Sequence, residues 1–205
     1  MTMTTPSLLA IFVGGRSRRM GTAKGLLEVP GGGPTIVEAL VKRGRDAGLA
    51  PVLVGDATPY AHLVTDVQRL DDDPTGAGPL GGLRAVLLAA GDGTVHTGAH
   101  AAAGVPVVAV ACDMPYVTAS VLQQLVAHDT DAAVLAARRV VDALWEPMLA
   151  RYRPAHVVPT LDALLAEGGR SFQALFSRLD VAELPLTAPV EEALRDWDEP
   201  ADIRQ

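Results

Sequence analysis

The sequence predicts an α/β chain: three layers, αβα, around an open, mostly parallel sheet. Three observations carry this. Short apolar runs at 8–13, 51–55, 67–70 and 105–111 alternate with stretches in helical spacing, the pattern of βαβ units. The run VPVVAVA at 105–111 is apolar throughout, as in a parallel strand buried on both faces. The runs also stop abruptly in glycine or aspartate turns, at Gly14, Asp72 and Asp113. In an open parallel sheet such turns share the carboxyl edge, where ligands bind.

The elements follow in order. Leu8 to Val13 reads as a buried strand feeding the Gly14-Gly15 turn. Leu26 to Val29 is short and apolar, and Pro30-Gly31-Gly32-Gly33-Pro34 stops it. Thr35 caps a helix running to about Ala47, with Ile36, Leu40 and Arg43 on one line, and Gly48 closes it. Pro51 to Gly55 is the second strand, 60–65 a weak helix or turn, and Val67 to Leu70 a third strand ending in Asp71-Asp72-Asp73-Pro74. An apolar helix covers Leu83 to Ala90, and 91–104 reads as a long surface connection without periodicity. After the strand at 105–111, Thr118 caps a helix through Ala127. Strands at 132–136 and within 144–152, helices at 158–166 and 171–179, and a last strand at 181–186 complete the chain.

Composition bounds the function. The 205 residues suit a single domain, 1–205, with a sizeable core. A net charge of −7 argues against nonspecific nucleic-acid binding, which needs a basic face. Cys112 is the single cysteine, so no intrachain disulfide forms and a reducing compartment fits. No stretch is apolar enough to span a bilayer, and MTMTTPS lacks a basic leader, so the expectation is a cytoplasmic protein free of membrane. The five histidines show no metal-ligand spacing.

Against the acidic balance, Arg16, Arg18, Arg19 and Lys24 place four cations within nine residues, directly after Gly14-Gly15. Glycines let a backbone approach a ligand closely, and N–H groups with Arg and Lys side chains suit phosphate. The spacing is neither that of a Walker A loop nor of a dinucleotide fingerprint. A plain glycine turn with solvated charges is the other reading. Asp113 ends the most apolar strand and Pro115 fixes the turn behind it. It is either a cap for the following helix or a carboxylate for a hard cation such as Mg²⁺. Cys112 reads as a small buried hydrophobe.

G-G-R-S-R-R-M-G-x-x-K-x-L-L, from Gly14 to Leu27, resembles the signature of the MobA-like nucleotidyltransferases. Gly78-Pro79-Leu80-Gly81-Gly82-Leu83, Cys112-Asp113-x-Pro115, Leu144 to Tyr152 and the closing Asp196 to Ile203 resemble later blocks of the same family. The likeness runs from Leu9 to Ile203. Two departures are Phe12-Val13 before the glycine pair, where Leu-Ala is usual, and Ala23, where Asp is common. The resemblance implies a Rossmann-like nucleotidyltransferase fold and Mg²⁺-dependent nucleotidyl transfer from a nucleoside triphosphate. GTP is the favoured donor and a molybdopterin-type phosphate the acceptor, in a monomer or weak homo-oligomer.

By the same resemblance, Val13, Gly14, Gly15, Arg16, Ser17, Lys24, Gly55, Gly78 and either Asp71 or Asp72 contact the nucleotide. Arg19 and Lys24 neutralise phosphates, and Asp113 holds the metal. Asp198 either lies near the acceptor or metal or caps a turn before Pro200, and Trp145 either flanks the acceptor cleft or fills core. Gly55 stands where a polar residue is common in guanylyl-transferring members, with Asp56 beside it, so cytidylyl or other nucleotidyl transfer to a pterin, sugar or other phosphate stays open. So does an inactive nucleotide-binding partner in cofactor delivery, prompted by Ala23 and the altered closing block.

Overall fold

The computed structural model describes residues 7–13, 23–97, 100–101, 104–139, 141–195 and 197. Its strands are β1 (Leu8–Phe12), β2 (Ala50–Val54), β3 (Gln68–Leu70), β4 (His96–Thr97), β5 (His100–Ala101), β6 (Val107–Ala111), β7 (Val134–Arg138), β8 (Trp145–Tyr152) and β9 (Val181–Glu183). Its helices are α1 (Ile36–Asp46), α2 (Pro79–Asp92), α3 (Ala119–Ala127), α4 (Pro154–Ala166), α5 (Phe172–Phe176) and α6 (Ala188–Ala193). Seven strands form one sheet in the order β3-β2-β1-β6-β8-β7-β9. β3, β2, β1 and β6 are mutually parallel. β8 runs antiparallel between β6 and β7, and β9 is parallel to β7.

Alternation along each strand splits the core between the two faces. Leu9, Ile11, Leu53, Val108 and Val110 pack with Ile36, Val37 and Leu40 of α1, Val121, Leu122 and Leu125 of α3, and Val190 of α6. Leu8, Ala10, Phe12, Val52, Val107 and Ala109 pack with Leu80, Leu83, Val86 and Leu87 of α2, Val157 and Leu161 of α4, and Phe176 of α5. This is the expected three-layer αβα fold with a mostly parallel sheet. The strand order turns back at β1: β2 lies on one side and β6 on the other, so the carboxyl ends of β1 and β6 flank the switch point where such sheets bind ligands.

Local chemistry explains most boundaries. Thr35 caps α1 with a full capping box: Oγ1 accepts the Glu38 N–H at 3.3 Å while the Glu38 carboxylate accepts the Thr35 N–H at 2.9 Å. Thr118 caps α3 by accepting the Val121 N–H. The 31–33 glycines all take positive φ, which makes the turn between Glu28 and Thr35 a glycine turn by necessity.

In the short apolar piece at 26–29, Leu26 ends a 3₁₀ turn that begins at Lys24, and Glu28 bridges to Thr35. Three expectations need correction. α2 begins at Pro79 rather than Leu83, because Pro fits the first helical turn and Gly81 and Gly82 are used for close packing against neighbouring segments. The 91–104 connection is not wholly irregular, since β4 and β5 pair antiparallel within it. α4 begins at Pro154, runs through Pro159 and so starts four residues earlier than expected, and α6 was not expected at all.

Candidate active site

The site lies at the carboxyl edge of β1, β2, β3 and β6. The ladder continues one residue past each strand end. Val13 N–H donates to Val54 O at 2.9 Å, Gly55 N–H to Leu70 O at 2.9 Å, and Cys112 N–H to Phe12 O at 3.0 Å. Val13, Gly55 and Cys112 are thereby held side by side, and the residues that follow them emerge from one edge. Gly55 has φ +98°, a conformation in which a side chain would be strained.

Two chain-distant side chains close over this edge. Lys24 Nζ donates to Asp113 Oδ2 at 3.0 Å, across 89 positions of sequence. Both are largely shielded, with side-chain exposures of 14% and 23%. Lys24 is placed by the 3₁₀ turn Lys24–Leu26, whose Gly25 lies against α1 and Tyr60: a Cβ there would stand 2.5 Å from Val37 Cγ2 and 2.8 Å from Tyr60 Cε1. Asp113 is placed by the turn after β6, in which Met114 N–H returns to Ala111 O.

Cys112, beside Asp113, sits next to the buried Tyr60 ring. Burial first, and the negative Asp113 second, push its thiol up to about 11, which favours the protonated form. It packs against the core as a partly buried small hydrophobe, less enclosed than expected. The Tyr60 phenol is pushed upward as well, chiefly by burial.

Asp72 comes to the same region from β3. A Cβ on Gly82 of α2 would lie 2.8 Å from Val54 Cγ1, 2.9 Å from Asp72 Oδ1 and 3.0 Å from Phe12 Cε1. Four segments therefore converge there only because Gly82 has no side chain. Partial burial, and then the like charge of Asp71, raise the Asp72 carboxyl above its ordinary range. Asp71 is exposed. Asp73 does more than shape a turn: with Asp162 of α4 it flanks Arg84, whose Nη1 bonds Asp73 and whose Nε bonds Asp162 Oδ1 at 2.6 Å. These residues, with Pro74, Leu165 and Ala166, line an open groove of about 440 Å³ between α2 and α4, apart from the Lys24–Asp113 pair. Gly78, at the N-cap of α2, takes φ +64°. Asp56 is turned back on its own chain, where Oδ1 accepts the Thr58 N–H at 3.1 Å.

Gly14, Gly15, Arg16, Ser17, Arg18, Arg19, Met20 and Asp198 lie outside the described residues. The structure adds a contact that the sequence did not show. Trp197, 3% exposed, donates its backbone N–H to Asp113 O at 2.9 Å and stands edge-on to Tyr116 at 6.4 Å. The Arg195 guanidinium lies 4.8 Å over the same Tyr116 ring. Trp197 is thus seated on the Asp113 turn. At the other end of the same edge, half-buried Trp145 packs on Phe176 at 6.3 Å and carries the Arg138 guanidinium 3.8 Å over its ring.

A hard cation fits this chemistry through one carboxylate. Among the described residues no three His, Cys, Asp or Glu side chains gather into a metal cage. Mg²⁺ characteristically takes one or two carboxylates and completes its shell with water and phosphate oxygens, and Asp113 is a shielded carboxylate of that kind. No helix among the described residues is long and apolar enough to cross a membrane.

Comparison with known proteins agrees with this fold. The family model described as "MobA-like NTP transferase domain" matches residues 9–182. A protein of Opitutus terrae named "Probable molybdenum cofactor guanylyltransferase" is 34% identical over 94% of this chain and 91% of its own length. One of the same name from Mycobacterium tuberculosis is 32% identical over 88% and 84%. In fold, the chain is similar to the molybdopterin-guanine dinucleotide biosynthesis protein A of Archaeoglobus fulgidus, with a TM-score of 0.72 at 22% identity over 96% of this chain and 94% of that one. It is also similar to a 4-diphosphocytidyl-2C-methyl-D-erythritol synthase, with a TM-score of 0.64 at 12% identity over 98% and 96%. Sequence blocks in order, a mostly parallel αβα sheet and a lysine–aspartate pair at its switch point lead to one conclusion: the chain belongs to the MobA-like NTP transferase family and is a nucleotidyltransferase.

Proposed function

We propose that the protein transfers GMP from GTP to the phosphate of a molybdopterin-type acceptor, with release of pyrophosphate, in a Mg²⁺-dependent reaction. The observation that carries this is the Lys24–Asp113 pair, a shielded cation and carboxylate joined at 3.0 Å where the sheet order turns back. The relatives' names supply the guanylyl group and the molybdenum cofactor.

In this reaction an acceptor phosphate oxygen attacks the α-phosphorus, and the bond from that phosphorus to the β-phosphate bridging oxygen breaks. No covalent enzyme intermediate is needed, so catalysis is positioning and charge neutralisation. Lys24 and Arg19 neutralise the β and γ phosphates. Gly14, Gly15, Arg16 and Ser17 present backbone and side-chain donors to the phosphates, and Val13 lies beneath them. Gly55, Gly78 and Asp72 bound the nucleoside. Asp113 is the residue that would hold Mg²⁺, which supplies positive charge to phosphate oxygens as charge builds on them. Until a polyphosphate arrives, Lys24 and Asp113 neutralise one another.

The test is pyrophosphate release with each of the four ribonucleoside triphosphates and a molybdopterin acceptor, with and without Mg²⁺. GTP should support turnover well above the others. Asp113→Asn should reduce kcat at least about a hundredfold, the scale lost when a charge-stabilising group is removed, with a melting curve like that of the parent. Turnover with CTP instead of GTP would reassign the donor. Nucleotide binding without turnover by any triphosphate would leave a binding partner rather than an enzyme.

A further inference from the structure

Arg43 is the residue on the apolar line of α1 that hydrophobic spacing does not explain. Ile36 and Leu40 on that line are fully buried. The Arg43 guanidinium is half-buried beside them, and burial pulls its pKa downward although it remains protonated. A shielded cation is costly unless its donors are met. Here the partners are carbonyls: Nη1 donates to Pro115 O at 2.7 Å and to Val117 O at 2.9 Å. Both belong to the turn that carries Asp113 from β6 to α3.

The same helix holds the other half of the catalytic pair. Val37, six residues before Arg43, packs against Gly25, the residue after Lys24. α1 therefore touches both segments whose side chains meet at 3.0 Å, through a methyl contact on the Lys24 side and two charge-assisted hydrogen bonds on the Asp113 side. We infer that Arg43 is a positioning residue for the reaction: it fixes the 113–118 turn against α1 so that Asp113 is presented at Lys24 distance. It touches neither substrate nor reacting atoms. This rests on the role given to Asp113 above.

The variants that test it are Arg43→Met, which keeps the stem and removes the donors, and Arg43→Lys, which keeps the charge without the guanidinium geometry. In the pyrophosphate-release assay Arg43→Met should lower kcat about 10- to 100-fold, the scale of an ångström of misplacement, with KM for GTP within about twofold of the parent. Arg43→Lys should fall between the two. In an Asp113→Asn background, Arg43→Met should cost nothing further, because it acts through that carboxylate. A lowered melting temperature with unchanged kcat makes Arg43 a structural strut and overturns the inference. Losses that add to those of Asp113→Asn overturn it too. If Arg43→Met yields no folded protein, Arg43→Lys is read by the same kcat and KM split, and an unchanged kcat there overturns the inference. Full turnover by Asp113→Asn alone would remove the reading beneath it, a failure distinct from the other three.

Discussion

Lys24 and Asp113 stand 89 positions apart and meet at 3.0 Å. If the lysine serves the far end of a triphosphate, the effect of losing it depends on phosphate number. Lys24→Ala should weaken GTP roughly 10- to 100-fold, the scale of one charge-assisted hydrogen bond, and GMP by much less. Calorimetric titration of both nucleotides checks this, and equal losses would place the lysine elsewhere. Asp72 gives a prediction of opposite sign for stability and binding. Its carboxyl is raised in the folded protein, so ionisation is harder there than in the unfolded chain. Below the ordinary carboxyl range both states are protonated and nothing is lost. As pH rises through that range and past the raised value, the folded state carries the penalty. Asp72→Asn should therefore raise the melting temperature by about a degree at pH 7 and leave it unchanged near pH 3, while weakening GTP. Melting curves at the two pH values, beside a titration, measure both. Asp113 and Lys24 were legible because each follows a distinctive local pattern, one an abrupt strand end and the other a glycine loop rich in cations. Arg43 and the Trp197 backbone were not, since their partners are chosen by tertiary contact and leave no local mark.

Among the elements, the strands were the easiest to read, because a sheet buried on both faces writes itself as continuous apolar runs. The start of α2 was harder. Its first turns carry Gly81 and Gly82, which local propensity disfavours in a helix. Packing overrides propensity there: a Cβ on Gly81 would lie 2.7 Å from Pro74 O, and one on Gly82 would press on Val54, Asp72 and Phe12 at once. Gly82→Ala gains helix propensity and loses fit. Because Val54 and Phe12 are buried strand residues with little room to yield, the loss should dominate, at about 1–3 kcal/mol. That corresponds to a melting temperature lower by several degrees for a chain of this size. GTP affinity should fall with it, since Asp72 is displaced. A melting temperature at or above that of the parent would show that α2 can move away from the sheet. The short elements β4, β5 and α6 escaped the sequence because pieces of two to six residues carry too little periodicity to register.

For the molecule as a whole, the parallel half of the sheet gives the protein a working edge and a rear edge. Residue 7 lies at the rear: Ser7 O accepts the Ala50 N–H at 3.0 Å, and Leu8 N–H reaches Pro106 O at 3.1 Å, both at the starts of parallel strands. Trp197 lies at the working edge, bonded to the backbone of Asp113. Ser7 and Trp197, the first and last described residues, therefore lie at opposite edges of the sheet. A purification tag or fluorescent fusion before Met1 joins six residues (1–6) from Ser7, whereas one after Gln205 joins eight residues (198–205) from Trp197 on the Asp113 turn. An amino-terminal fusion should turn over GTP at the parental rate. A bulky carboxyl-terminal fusion should bind GTP normally yet lose several-fold in kcat, by pulling on the Trp197 anchor or crowding the acceptor. Equal rates from the two fusions would show that the Trp197–Asp113 bond can bear such a load. If the amino-terminal fusion alone keeps the parental rate, attachment on the Ser7 side is the choice for immobilising this enzyme on a surface or display scaffold.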